Sequence, residues 1–125
     1  MEKIKLVFIL FCILLNAQNS KIQHIAELQK LGDSLFKVSN YTDAAKAYKE
    51  LVKINPNSFD YNFKYASAFG LEVEQMPRFK QAKSVREMVK LFERAYELDN
   101  KNLALNRALL EIYLRVPRFF GGGDK

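Results

Sequence analysis

From Ser20 onward the apolar residues recur every three or four positions, and the runs are interrupted by proline, asparagine and glycine. That spacing lines apolar side chains along one face of an α-helix, and no stretch shows the period of two expected of a half-buried strand. The pattern predicts an all-α chain. Its first helix carries Ile22, Ile25, Leu28, Leu31 and Leu35, with Ser20 and Gln23 spaced as a capping box. Residues 37–40 break it, and Ser39 or Asn40 can cap a second helix over about 41–54 that presents Ala44, Ala45, Tyr48, Leu51 and Val52. Asn55-Pro56-Asn57-Ser58 closes that helix, because proline lacks an N–H and pushes the residue before it out of the α region. A third helix runs from Phe59 to about Leu71, with Phe59, Tyr61, Phe63, Tyr65 and Phe69. After Met76-Pro77-Arg78, a fourth over about 82–98 shows Val85, Met88, Phe92 and Ala95 on one face. A fifth covers about 103–115 and ends before Pro117 and Gly121-Gly122-Gly123.

The first 17 residues follow a different rule. Met1-Glu2-Lys3-Ile4-Lys5 is a short basic start, Leu6 to Leu15 is an unbroken apolar run, and Asn16-Ala17-Gln18 follows. This is the layout of a secretory signal peptide, with cleavage expected after Ala17. The apolar run of 10 residues spans about 15 Å as a helix, half of the roughly 30 Å hydrocarbon core, so stable membrane insertion after cleavage is not expected. Cys12 is the single cysteine and follows Phe11 rather than a small residue, which argues against a lipid anchor. Cleavage removes it, leaving no disulfide framework and no thiolate chemistry. The segment resembles bacterial signal peptides, so the expected address is the periplasm. Loss of Lys3, Lys5 and Glu2 leaves 18 basic and 13 acidic residues, a net charge of +5. Export makes nucleic acid an improbable partner for that charge; envelope polymers, anionic headgroups and acidic peptides fit better.

Antiparallel helix pairs joined by short turns fit either a bundle or a helical repeat, and internal similarity separates the two. Ile25, Leu28, Leu31, Gly32, Leu35, Tyr41, Ala44, Tyr48 and Pro56 resemble the signature of the tetratricopeptide repeat (TPR), a 34-residue helix-turn-helix unit. Leu51 stands where that family usually has alanine. In this register Gly32 and Ala44 let the two helices approach, and Leu28, Leu31, Leu35 and Tyr48 fill the surrounding space. Phe59 begins a second unit, with Tyr65, Ala66 and Phe69 in the corresponding places and Phe92, Ala95 and Asn100 after an offset of about ten residues near 71–83. Leu103 begins a third, with Leu109, Leu110 and Tyr113. The resemblance implies a TPR-like α-solenoid of about two and a half repeats: a signal peptide over 1–17, unit 1 over 18–57, unit 2 over 58–101, and the first helix and turn of unit 3 over 102–125. The tail Pro117-Arg118-Phe119-Phe120-Gly121-Gly122 is also similar to exported bacterial TPR proteins that carry a Pro-x-φ-x-Gly-Gly motif between the helices of a repeat.

The resemblance further implies a concave groove lined by the first helices of the units, suited to a peptide or partner protein. The implied groove residues are Ala26, Gln29, Asp33 and Phe36, then Asp60, Phe63, Ser67 and Gly70, then Ala104, Arg107 and Glu111. The Lys and Asn pattern by which some TPRs clamp a peptide carboxylate is absent. An alternative is a substrate-binding accessory of an envelope transport system, which an apolar pocket enclosed by Phe63, Phe69, Phe79 and Tyr113 would favour. Lys83, Arg86, Lys90 and Arg94, at steps of three and four, form a candidate anion-binding stripe on the fourth helix; a solvated face is the commoner meaning of such a pattern.

Catalytic, cofactor and metal roles are not expected. His24, the one histidine, has no companions at ligand spacing. Gly121-Gly122-Gly123-Asp124-Lys125 lacks the spacing, preceding strand and Ser/Thr of a phosphate loop. The fifth helix presents Leu105, Leu109, Ile112 and Val116 without a following partner helix. Either a longer natural product or self-association through that helix is therefore expected.

Overall fold

A computed structural model describes residues 1–115, and among them every regular element is an α-helix: α1 Glu2–Lys37, α2 Tyr41–Ile54, α3 Phe59–Gln75, α4 Arg78–Leu98 and α5 Leu103–Arg115. Each packs mainly on its neighbours in the chain, with α5 the most lightly held. Val116 and the glycine-rich tail, with the motif and turn expected there, lie outside the described residues.

The turns follow from their side chains. Asn40 caps α2 by accepting from the Asp43 N–H, Ser58 caps α3 by accepting from Tyr61, and Asn102 Oδ1 accepts from Leu105 at 3.0 Å. α1 stops in a turn in which the Ser39 N–H reaches the Phe36 carbonyl and the Asn40 N–H the Leu35 carbonyl, with Ser39 left-handed at φ 61°. That is the bonding of a Schellman motif.

Three boundaries differ from the sequence reading. α1 runs unbroken from Glu2, so Ser20 sits inside the helix and caps nothing, and Gln23 Nε2 donates to Glu27 instead. Nothing between Leu15 and Lys21 breaks the helical hydrogen bonding, and one helix accommodates both segments. α3 extends to Gln75, and α4 begins at Arg78 rather than at 82. The extra residues of this second pair are thus taken up by lengthening both helices, with the reversal confined to Met76 and Pro77. Gln81 Nε2 donates to the Met76 carbonyl and ties that reversal to α4.

The core is two clusters sharing α3. Tyr65 and Ala68 join Ala44, Ala45, Tyr48 and Leu51 of α2, while Ala66 and Val73 join Met88, Phe92 and Ala95 of α4 and Leu105 and Leu109 of α5. Phe69 and Leu91 touch both. Gly32 is buried where α1 crosses α2, and a methyl built there would lie 2.6 Å from Tyr48 Cε1. The close approach expected at Gly32 is present, with the Tyr48 ring as the neighbour. The packing departs from expectation in two places. Leu31 is half exposed rather than filling the crossing. On α5 it is Leu103, Leu110 and Leu114 that are exposed, whereas Leu105 and Leu109 are buried against α3 and α4.

Candidate functional site

The residues implied for a groove divide between two places. Phe63, Ser67 and Gly70 of α3 and Glu111 of α5 come together in an open cleft of about 740 Å³. Its floor is apolar: Phe63 stacks on Phe59 at 5.5 Å and meets the edge of Phe92 at 6.4 Å, with Val85, Met88 and Ile112 beside them. Gly70 is one reason the floor lies deep, because a methyl there would be 3.3 Å from Phe92 and 3.5 Å from Met88 Sδ. Its rim is charged and mixed in sign, with Glu74 and Arg78 at the α3–α4 reversal and Glu111 and Arg115 on α5. None of these four has an ion-pair partner among the described residues.

The second place joins α1, α2 and α3. Asp33 accepts from the Tyr48 hydroxyl at 2.7 Å and from Lys64 Nζ at 3.1 Å, and Lys64 also pairs with Asp60 at 3.7 Å. The Lys64 ammonium stands 5.8 Å from the centre of the Tyr48 ring. Partial burial raises the Asp33 pKa, but the bonds from Tyr48 and Lys64 and the Lys64 charge together outweigh it, and the net shift is downward. Burial first, then the bond to Asp33 and the charges of Asp33 and Asp60, push the Tyr48 phenol well above its ordinary value. This cluster fastens α1 and α3 across α2. Gln29 is half-buried on α1, and Phe36 meets the Tyr41 ring edge-on at 5.3 Å. Arg107 is exposed on α5 and does not line the cleft.

The four aromatic residues that would enclose an apolar pocket do not converge. Phe79 is 82% exposed, Phe69 is wedged between the two core clusters, and Tyr113 donates to Glu93 at 2.9 Å. Burial and that bond push the Tyr113 phenol up to about 12. In the cationic stripe, Lys83, Arg86 and Lys90 are exposed, but Arg94 is engaged: it donates to Glu97, to Asn57 Oδ1 at 3.1 Å and to the Pro56 carbonyl. Arg94 thus binds α4 to the α2–α3 turn.

The α4 wall of the cleft, including Arg78, Gln81, Val85 and Met88, was not foreseen, because a TPR groove is implied on first helices alone. The offset near 71–83 was the available signal, since it lengthens this hairpin beyond the repeat's usual size. Asn62 was also missed; it is buried and donates to the Pro56 and Ser58 carbonyls at 3.0 and 2.7 Å. Its sign in the sequence is an amide amid the aromatic residues of α3. No protein-family model matches the chain, no curated protein matches it, and no solved structure matches it.

Proposed function

We propose that this chain is an exported, non-catalytic interaction scaffold of TPR type that receives a peptide segment of a partner protein in the cleft between α3, α4 and α5. The carrying observation is the cleft: an apolar floor over Gly70 with four charges on its rim that have no ion-pair partner among the described residues. Such a surface holds an apolar side chain below and an extended backbone with polar neighbours above. Its open, mixed-charge rim favours a peptide over an enclosed small apolar substrate. Export to the periplasm is supported by the N-terminal segment, in which every side chain up to Ala17 is exposed except a half-buried Cys12. The helix over 2–37 is long and apolar enough to cross a membrane by length and composition, a property that a signal sequence shares. The outward α5 residues Leu103, Leu110 and Leu114 are where we place contact with further polypeptide, a second copy of the chain included.

Panning a random peptide-display library on the immobilised chain tests the reading. Enriched peptides should lose at least tenfold in affinity for Ser67→Trp, which fills the cleft from its half-buried wall. Peptides that bind Ser67→Trp as well as the parent would place the binding surface elsewhere, and no enrichment would remove the peptide reading.

A further inference from the structure

Up to Lys90 the outward face of α4 carries one sign of charge; beyond it Glu97 returns to the same face and pairs with Arg94. From Phe79, steps of four, three and four residues reach Lys83, Arg86 and Lys90, so all four side chains share one narrow stripe along the helix. All four are exposed, and the stripe lies opposite the buried Met88, Phe92 and Ala95. None of the three cations has an ion-pair partner among the described residues. The outward face of α2 provides the contrast within the same chain: there Lys46 pairs with Asp43 and Lys53 with Glu50. Two carboxylates flank the stripe: Glu87 is turned towards α2, where it borders a small hollow with Lys46, Lys49, Tyr65 and Glu72, and Glu93 accepts from the Tyr113 hydroxyl. Burial, then the charges of Glu87 and Glu72, raise the Tyr65 phenol there.

Local stability does not account for these cations. The first turn of α4 contains Arg78 and Lys80 and no carboxylate, so the helix dipole opposes the charge at that end. Phe79, 82% exposed beside the Lys80 ammonium at 5.8 Å, gains nothing from folding either. An aromatic ring at the end of a row of cations suits a lipid headgroup layer, where the ring enters the acyl boundary and the cations meet phosphates. An acidic peptide, by contrast, would bring carboxylates for the cations but no apolar layer for the ring.

We propose that the stripe Phe79, Lys83, Arg86 and Lys90 docks this protein on an anionic phospholipid surface. It occupies a different face of α4 from Arg78, Gln81, Val85 and Met88, which line the cleft, so docking leaves the cleft open. Each cation close to such a surface raises partitioning about fivefold, and three together supply on the order of a hundredfold.

The test compares the full chain on phosphatidylcholine vesicles and on phosphatidylcholine vesicles containing phosphatidylglycerol. The apolar N-terminal segment contributes to both, so the measured quantity is the ratio of the two partition coefficients. The expected ratio is at least tenfold at low salt, shrinking as salt shortens the screening length. It should lose most of its value in the triple variant Lys83→Gln, Arg86→Gln, Lys90→Gln, keeping only what Lys3 and Lys5 of the N-terminal segment add, and persist in Lys83→Arg, Lys90→Arg. Phe79→Ala should weaken anionic binding several-fold. Circular dichroism checks the fold; should the triple variant lose helix, the three single variants replace it, each expected to lose about fivefold. A parent ratio of one, or a folded neutralised variant that keeps the parent ratio, overturns the proposal. So does binding of polyaspartate, lost on neutralisation, by a chain with no vesicle preference, which would make the stripe a site for acidic polypeptide.

Discussion

Gly32 and Gly70 are each buried against the helix that follows their own, yet a methyl group at each meets different resistance. At Gly32 it would lie 2.6 Å from a Tyr48 ring that is 2% exposed and fixed at its far end by Asp33. Overpacking of this kind costs about 1–3 kcal/mol, against about 1 kcal/mol gained in helix propensity. At Gly70 the contacts are 3.3 Å to Phe92 and 3.5 Å to the pliable Met88 sulfur. Gly32→Ala should therefore lower the melting temperature, and Gly70→Ala should leave it unchanged or raise it; equal effects in the two variants would contradict the packing described. The Asp33 cluster predicts a pH dependence. A carboxylate with a depressed folded-state pKa stabilises the fold above its unfolded value near 3.8 and loses that contribution as the pH falls through the folded value. Acid unfolding of Asp33→Asn should accordingly be shallower than the parent's below about pH 4, and superimposable acid limbs would show that the cluster contributes nothing. The glycine was legible in the sequence through its position in the repeat pattern. The Tyr48–Asp33–Lys64 contact was not, because it joins three helices and no local spacing encodes it.

Helix existence was legible at the scale of elements, since apolar periodicity and capping residues are local signals. α2 and α5 lie where the spacing placed them, whereas α3 and α4 exceed it because helical hydrogen bonding continued to the residue beside Pro77. α1 shows the converse: the change in composition near Ala17 coincides with no break in the helix. Its buried and half-buried residues, apart from Cys12, begin at Ile25, so a chain starting at Gln18 should melt at the parent temperature, and on the export proposed above N-terminal sequencing of protein purified from cells should begin there. A retained Met1 would contradict cleavage, and a lower melting temperature for the shortened chain would show that the first 17 residues support the fold. The end of α1 offers a gain. Ser39 holds φ 61°, a conformation that costs a residue with a Cβ about 1–2 kcal/mol and glycine almost nothing. Ser39→Gly should raise stability by about 1 kcal/mol in denaturant unfolding, less whatever entropy the unfolded glycine gains; a destabilised variant would mean that this turn is not formed.

In the molecule as a whole, α3 belongs to both core clusters, so the two helix pairs are coupled through one element and should unfold together. Outside the apolar N-terminal segment, the outward stripe of α5 is an apolar face left open among the described residues, with Leu103, Leu110 and Leu114 exposed by 84%, 59% and 77%. Covering large side chains of this kind is worth roughly 1.5–3 kcal/mol each, so the chain should associate with rising concentration in sedimentation equilibrium, and Leu110→Lys with Leu114→Lys should abolish it. An unchanged association constant in that variant would move the contact to another face. Peptide binding by the cleft can be read from amide chemical shifts of the isotopically labelled chain titrated with a library-enriched peptide. Shifts should concentrate at Ser67, Gly70 and Glu74 of α3, Gln81, Val85 and Met88 of α4, and Ala108 and Ile112 of α5. Shifts confined to α1 and α2, or none at saturating peptide, would contradict it.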